Sequence, residues 1–149
     1  MDFKNKIVLI TGASSGIGRE SAFQFAKKGS NIILVARRKQ KLEQLADELK
    51  KFNISTLVCE CDVSDKLQVE KMHKIVLEKF GSIDILINNA GFAIYGSVFD
   101  LTIEEIESQM ETNYFGMIYC IKNFLPSMLE NKSGHIVNVA SVAASFGLP

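Results

Sequence analysis

An apolar run that breaks into glycines and then becomes helical constrains this fold more than any other feature. Residues 7–10 are entirely apolar, and the glycine-rich segment 11–18 follows them directly, ahead of a helix-like stretch. A strand, a glycine turn and a helix in that order aim several backbone N–H groups at one point, which suits a phosphate. In such a turn Gly12 permits the bend, Gly16 lets the backbone approach a pyrophosphate, and Gly18 lets helix and strand pack closely.

Strand-like and helix-like segments alternate along the rest of the chain. Four further apolar runs have strand length: 32–36, 54–61, 83–88 and 135–140. Apolar residues at helical spacing mark three segments: 39–51, 65–80 and 102–130. This alternation predicts an α/β fold, a doubly wound, Rossmann-type parallel sheet of about five strands. No internal repeat or linker divides residues 1–149, so we expect one dinucleotide-binding domain, with its ligand at the carboxyl ends of the strands.

Local signals indicate where several helices begin and end. Gly81 is placed to end the helix over 65–80. Thr102 with Glu105 three residues later forms a capping-box pattern that begins the next helix. Pro126 lacks a backbone N–H, so we expect the long helical region to bend there.

Composition excludes several classes of partner and site. The 17 basic and 17 acidic side chains cancel, which gives no reason to expect nucleic acid or an anionic membrane as partner. No apolar run approaches the roughly 20 residues that span a bilayer, and the N-terminus has no secretory h-region. Three cysteines, an odd number, argue against a disulfide framework and favour the cytoplasm. Cys59 and Cys61 lack a second pair at metal-ligand spacing, so we interpret them as core thiols and expect no metal.

Two arginines follow the second predicted strand at the position where a dinucleotide fold selects its cofactor. A carboxylate there accepts hydrogen bonds from a ribose 2′-OH and repels a 2′-phosphate. This chain has Ala36 and then Arg37 and Arg38, whose guanidiniums suit a dianionic phosphate. The pattern therefore favours NADP over NAD. Ser14 and Ser15 in the glycine turn can bind phosphate oxygens, bond their own backbone, or do both.

The third and fourth predicted strands end in segments that suit an adenosine. Asp62 and Val63 offer a carboxylate for the adenine amino group and an apolar wall, although an isolated aspartate there is more often a turn or helix-start residue. Residues 88–91 read Asn-Asn-Ala-Gly, in which Asn89, Ala90 and Gly91 let a ribose lie close to the backbone. In isolation these four residues would only predict a turn.

Taken together, these segments resemble the short-chain dehydrogenase/reductase family in its single-domain form. The matching motifs are residues 11–18, which include Ile17, then Asp62, 88–91, Asn113 within 112–116, and 136–141. The resemblance covers residues 6–149. It implies an oxidoreductase that transfers a hydride between NADP(H) and a small carbonyl or alcohol. It also implies that Ser141 holds the substrate oxygen and that Asn113 anchors a water in a proton relay.

The chain departs from the family pattern at the general acid. That residue is a tyrosine in Tyr-x-x-x-Lys, expected roughly a dozen residues after Ser141, and the lysine lowers its pKa. Residues 1–149 end before that position, and none of Tyr95, Tyr114 and Tyr119 has a lysine four residues later. We therefore expect an N-terminal fragment of a longer enzyme, inactive by itself. The alternative is a complete, non-catalytic dinucleotide-binding or interaction module.

Substrate identity and assembly are less constrained by the sequence. Residues 92–95 can line an apolar pocket or pack under a loop. The resemblance implies a homodimer or homotetramer for the whole enzyme, in which the helix over 113–130 pairs with a second copy. The alternative is that the apolar residues of this helix pack on the sheet.

Overall fold

Five parallel strands form one sheet in the computed structural model, which describes residues 2–141. The strands are β1 (Ile7–Thr11), β2 (Asn31–Ala36), β3 (Thr56–Glu60), β4 (Ile85–Asn88) and β5 (His135–Asn138). The helices are α1 (Gly16–Lys27), α2 (Lys39–Leu49), α3 (Lys66–Phe80), α4 (Ile103–Met110) and α5 (Gly116–Glu130). The strands lie in the order β3-β2-β1-β4-β5, which confirms the predicted doubly wound sheet.

Apolar residues on both faces bury the central strands. Along β1, Val8 and Ile10 pack with α1 and α2 on one face of the sheet. Leu9, between them, points to the opposite face, where Ile33 of β2 also packs against α3 and α5. Because side chains alternate along a strand, a continuous apolar run is what a strand covered on both faces needs.

The chain reverses its direction of travel across the sheet at β1. It moves outward from β1 through β2 to β3, and α3 then carries it back to β4 on the other side of β1. The loops that follow β1 and β4 therefore diverge and leave a crevice at the carboxyl ends of these strands. In open α/β sheets ligands bind in such a crevice.

Helix ends follow the predicted signals. Asp65 is the N-cap of α3 and accepts hydrogen bonds from the backbone N–H groups of Leu67 and Gln68. Gly81 ends the helix with φ of 73°. The predicted capping box is present, since Thr102 accepts from the Glu105 N–H while the Glu105 carboxylate accepts from Thr102 N–H.

The helical region between Thr102 and Glu130 is not uniform. A π-helical turn, Glu111–Phe115, separates α4 from α5, and α5 continues through Pro126. The departure from regular geometry thus lies 11 to 15 residues before the proline. Three buried residues of α5 belong to a core cluster on the sheet, as one of the two interpretations of this helix expects: Cys120, Phe124 and Met128.

Three strands are shorter than the sequence predicts, and one of them is poorly covered. β3 occupies Thr56–Glu60 within the predicted 54–61, β4 occupies Ile85–Asn88 within 83–88, and β5 occupies His135–Asn138 within 135–140. Among residues 2–141, β5 pairs only with β4 and is largely exposed. None of the helices that the structure describes is long and apolar enough to cross a membrane.

Candidate functional site

The glycine turn after β1 adopts a shape that glycine alone accommodates well. Gly12 and Gly16 have φ of 67° and 54°, in the left-handed region. A Cβ on Gly12 would lie 2.9 Å from the Ala90 Cα, so the turn also needs glycine for its close approach to the end of β4. A Cβ on Gly16 would meet nothing within 4 Å, which leaves open space above that backbone.

Gly18 packs beneath the turn. A Cβ on Gly18 would lie 2.5 Å from Asn89 Nδ2 and 2.6 Å from the Gly12 carbonyl oxygen. The first turn of α1 therefore reaches the preceding loop only because this position has no side chain. Gly12 and Gly18 thus perform the steric tasks that their spacing predicts, and the predicted approach of a pyrophosphate to Gly16 stays a prediction.

Thr11 and Asn89 join the glycine turn to the end of β4. Thr11 Oγ1 accepts hydrogen bonds from the backbone N–H groups of Asn89 and Ala90, both at 3.0 Å. In return, Asn89 Nδ2 donates to the Thr11 carbonyl at 3.0 Å. Sequence reasoning placed Thr11 in the motif without assigning it a role. A buried polar residue at the end of an apolar strand is a signal that could have identified this bracing function.

A second asparagine joins β4 to β5. Asn88 Nδ2 donates to Asn138 Oδ1 at 2.9 Å, as expected for a side chain that ties neighbouring strands together. The Asn88 Oδ1 atom is buried, and no donor among residues 2–141 reaches it.

The two arginines after β2 differ in their contacts. Arg38 donates from Nη2 to Ser14 Oγ and to Ser15 Oγ, each at 2.8 Å, and from Nε to Ser14 Oγ at 3.3 Å. Arg37 Nη1 lies 3.7 Å from Asp62 Oδ2. Both arginines line the crevice, and Arg38 brings its positive charge against the glycine turn.

Asp62 and Val63 take part in local contacts as well as facing the crevice. Asp62 Oδ1 accepts from Ser64 Oγ at 2.7 Å and from the Ser64 N–H at 3.1 Å. Val63 is buried, and a Cβ on Gly116 would lie 2.8 Å from its Cγ2 atom. The wall beside β3 is therefore fixed by the start of α5.

Asn113 lies in the π-helical turn and binds the loop after β4. Its Nδ2 donates to the Phe92 carbonyl at 2.8 Å, and its Oδ1 accepts from the Phe92 N–H at 3.0 Å. A Cβ on Gly91 would lie 3.0 Å from that Oδ1, so glycine permits the close approach. π-Helical turns are frequent at functional sites because the extra residue redirects side chains.

One open cleft of about 1050 Å³ lies between the glycine turn, the ends of β2, β3, β4 and β5, and the π-helical turn. Every predicted site residue lines it except Gly18, which lies beneath: Gly12, Ser14, Ser15, Gly16, Ile17, Arg37, Arg38, Asp62, Val63, Asn89, Ala90, Gly91, Asn113 and Ser141. Sequence reasoning did not place Cys61, Thr112 and Met117 there, although they also contribute to the lining. No signal in the sequence separates such lining residues from ordinary core positions.

The three thiols are buried and weakly reactive. Burial raises the pKa of Cys59 to about 11, and it raises those of Cys61 and Cys120 to about 12. Such thiols are protonated at neutral pH and are weak nucleophiles and metal ligands. Among residues 2–141 no group of three or more His, Cys, Asp or Glu side chains could hold a metal ion.

Comparison with known proteins identifies the family to which this chain belongs. A family model described as short chain dehydrogenase matches residues 6–149. A relative from Staphylococcus aureus (strain MW2), named an uncharacterized oxidoreductase, is 36% identical over 139 residues, which are 93% of this chain and 59% of that protein. The chain thus spans about 59% of the length of this curated relative.

Solved structures share the fold and differ in their cofactor. An alcohol dehydrogenase from the archaeon Thermococcus sibiricus, complexed with 5-hydroxy-NADP, matches with a TM-score of 0.85 and 34% identity over 89% of this chain and 57% of its own. An NAD⁺-bound xylitol dehydrogenase matches with a TM-score of 0.95 and 29% identity over 100% of this chain and 58% of its own. The neighbours therefore support a nicotinamide dinucleotide without selecting between the two forms.

Proposed function

Because this chain belongs to the short chain dehydrogenase family, we propose that it forms the NADP(H)-binding part of an oxidoreductase that acts on a carbonyl or alcohol. The observation that carries the choice of NADP(H) is the pair of guanidiniums directly after β2, where Ala36 stands in place of a carboxylate. A phosphate on the ribose would meet positive charge there. It would not be repelled at that point, because no carboxylate stands directly after β2.

The residues of the glycine turn fit a pyrophosphate. Gly16 leaves open space above its backbone, as a closely approaching phosphate requires. Ser15, the N-cap residue of α1, makes no side-chain hydrogen bond to the first turn of that helix. The N–H groups of that turn therefore have no side-chain cap and suit an anion at the positive end of the helix dipole. We assign Gly12, Gly16, Ile17 and Gly18 to this subsite.

The adenosine would lie between the ends of β2, β3 and β4. Asp62 Oδ2 takes no part in the contacts with Ser64 and lies 3.7 Å from Arg37 Nη1, beyond hydrogen-bond distance, so that atom can accept a hydrogen bond from the adenine amino group. Val63 supplies an apolar wall. Asn89, Ala90 and Gly91 present a surface of small side chains and backbone to a ribose, and the contacts with Thr11 hold that surface in place.

The opposite end of the cleft would hold the reacting carbonyl. NADP(H), when bound, supplies or accepts the hydride. We propose that the Ser141 hydroxyl donates to the substrate oxygen, where negative charge develops. Asn113 can hold a water, because its two bonds to Phe92 use one of two N–H groups and one of two lone pairs.

Further properties are inferred with this function. Three buried thiols without a disulfide in residues 2–141 fit the reducing cytoplasm.

Residues 1–149 contain no Tyr-x-x-x-Lys, so we expect the 149-residue chain to bind cofactor and to give no measurable turnover. Steady oxidation of NADPH by this chain with any of a broad panel of carbonyls would contradict that expectation.

Titration of the purified chain with NADPH and NADH tests the proposal. We expect NADPH to bind at least about tenfold more tightly, which corresponds to about 1.4 kcal/mol. The double variant Arg37→Ala/Arg38→Ala should abolish this difference and leave NADH binding nearly unchanged. Arg19→Ala is the matched control, because Arg19 is a half-buried arginine of α1 that pairs with Glu48 outside the cleft. Equal affinity of the wild-type chain for both dinucleotides would contradict the proposal.

A further inference from the structure

The segment that follows the end of β4 has no secondary structure of its own. Residues 92–96 lie in no helix or strand, and among residues 2–141 no backbone–backbone hydrogen bond reaches them. Phe92 and Ala93 nevertheless line the cleft together with Asn113, on the side assigned above to the reacting carbonyl. Side chains must therefore hold this wall of the cleft, because a segment without backbone pairing is otherwise free to move.

Two side-chain amides of the helical region supply that support, from positions about one turn apart. Asn113 Nδ2 donates to the Phe92 carbonyl at 2.8 Å, and its Oδ1 accepts from the Phe92 N–H at 3.0 Å. Gln109 Oε1 accepts from the Ile94 N–H at 2.9 Å. The two amides thus hold the residues on either side of Ala93.

Gln109 is suited to this task although it is not among the residues that line the cleft. Its side chain is half-buried, and its Nε2 donates to the Glu105 carbonyl at 3.2 Å. One end of the amide is therefore held by α4 and the other holds the segment. Ile94 is also half-buried. An N–H in such a place that loses its acceptor favours other conformations, in which water can reach it.

We infer that Gln109 is a positioning residue for the reacting end of the cleft, which acts through Ile94 to keep Phe92 and Ala93 in place beside the nicotinamide. The inference rests on the proposed function and extends it to a helix residue outside the cleft. The nucleotide end is held by separate contacts, among them those of Thr11 with the end of β4. A change at Gln109 should therefore affect one end of the cleft and spare the other.

Two ligands separate the ends of the cleft. NADPH would occupy both ends, whereas adenosine 2′,5′-bisphosphate lacks the nicotinamide half and would occupy the nucleotide end alone. Both would be titrated into the 149-residue chain. The fluorescence of saturating NADPH gives a second measurement, because dihydronicotinamide emits at a shorter wavelength when it is enclosed. A residue that only stabilises the fold would not change the emission of the bound cofactor.

The variants differ in whether position 109 can accept a hydrogen bond. Gln109→Met keeps the length of the side chain and a good helix propensity but removes the acceptor. Gln109→Glu keeps an acceptor oxygen for the Ile94 N–H. Gln109→Ala removes the acceptor at the highest helix propensity, in case the methionine variant does not fold. Gln24→Met is the matched control, because Gln24 is an exposed amide of α1 that donates to Glu20 outside the cleft.

We expect Gln109→Met to weaken NADPH about three- to tenfold, because the wall would be in place for only a fraction of the time in the free chain. Adenosine 2′,5′-bisphosphate should weaken less than about twofold. The emission of bound NADPH should move toward that of free NADPH, and hydrogen exchange in residues 92–96 should become faster. Gln109→Glu should return the NADPH affinity to within about twofold of wild type.

Three results would overturn the inference and leave the proposed function intact. The first is an equal loss for both ligands in Gln109→Met, and the second is an NADPH affinity and emission that do not change. The third is a loss in Gln109→Glu as large as that in Gln109→Met, since the acceptor oxygen would then not be the group that matters. A wild-type chain that binds neither ligand would instead contradict the proposed function, and the inference with it.

Discussion

Strands β1 and β5 are both short, parallel and rich in apolar residues, yet they occupy opposite environments. β1 pairs with β2 on one side and with β4 on the other, and its Val8 is 0% exposed. β5 pairs with β4 alone among residues 2–141, and its Val137 is 44% exposed. An apolar run therefore predicts a strand, whereas its neighbours decide how deeply that strand is buried.

The two ends of the candidate site differ in the same way, one lying beside the enclosed strand β1 and the other beside the exposed strand β5. Near β1 the polar groups are braced by one another, since Thr11 binds the loop after β4 and Arg38 binds the glycine turn. Near β5 a side-chain bond between Asn88 and Asn138 joins the two strands beside their backbone pairing. The part of the cleft assigned to the nucleotide is consequently the better supported part, and the part assigned to the substrate lies beside the exposed strand.

Alkaline pH should produce the largest loss of stability, because it ionises the three buried thiols. The pKa values of Cys59, Cys61 and Cys120 rise from 9.0 to about 11 or 12 on folding. Above pH 9 the unfolded chain therefore binds fewer protons than the folded one. The stability that the protonated thiols allow is fully present below pH 9, and it is lost as the pH rises toward 11 and 12. The slope is at most about 1.4 kcal/mol per pH unit for each thiol.

Urea unfolding from pH 8 to 11 measures this loss. Cys120→Ala is the internal comparison, because it removes one of the three groups and should flatten the slope. Ellman's reagent should react with the thiols only as the chain unfolds. A free energy of unfolding that stays constant through pH 10.5 would show that the thiols are not enclosed as described.

A matched pair of valine substitutions tests the strand comparison directly. Val8→Ala removes two methyl groups from a filled core and should lower the free energy of unfolding by about 2–3 kcal/mol. Val137→Ala makes the same change on the exposed strand and should cost less than about 1 kcal/mol. Urea denaturation of both variants checks this, and equal losses would mean that β5 is covered in solution.

A smaller effect than that of Val8→Ala is expected at α4, a helix with no buried residue. Thr102→Ala removes the hydroxyl that caps the Glu105 N–H, which should cost about 1 kcal/mol. Helix-specific hydrogen exchange should detect this change as faster exchange in residues 103–110. An unchanged exchange rate there would indicate that the capping box does not hold the start of α4.

Much of the fold follows from short-range patterns in the sequence. The apolar run 7–10, the glycine spacing of 11–18 and the stop at Gly81 each specify a local structure with a direct steric cause, and the structure has all three. The π-helical turn that holds Asn113 did not follow, because it depends on how α4 and α5 pack and on the bonds of Asn113 to Phe92.

In the candidate site, too, the sequence predicts what depends on motif spacing and misses what depends on side-chain packing. Motif spacing predicted which residues meet at the carboxyl ends of the strands, because the sheet topology brings those loops together. It did not predict the contact of Arg38 with Ser14, which joins residues 24 positions apart through side-chain conformation. Nor did it separate Cys61 from its core neighbours, since a buried thiol and a cleft-lining thiol have the same local pattern.

Hydrogen exchange of the 149-residue chain, measured with and without saturating NADPH, tests the central claim most directly. The account predicts that NADPH slows exchange in segments 11–19, 36–38 and 88–92, which enclose the nucleotide end of the cleft, and has a smaller effect on 135–138 at the exposed strand. NADPH that binds without protecting the glycine turn and the segment after β2 would contradict it.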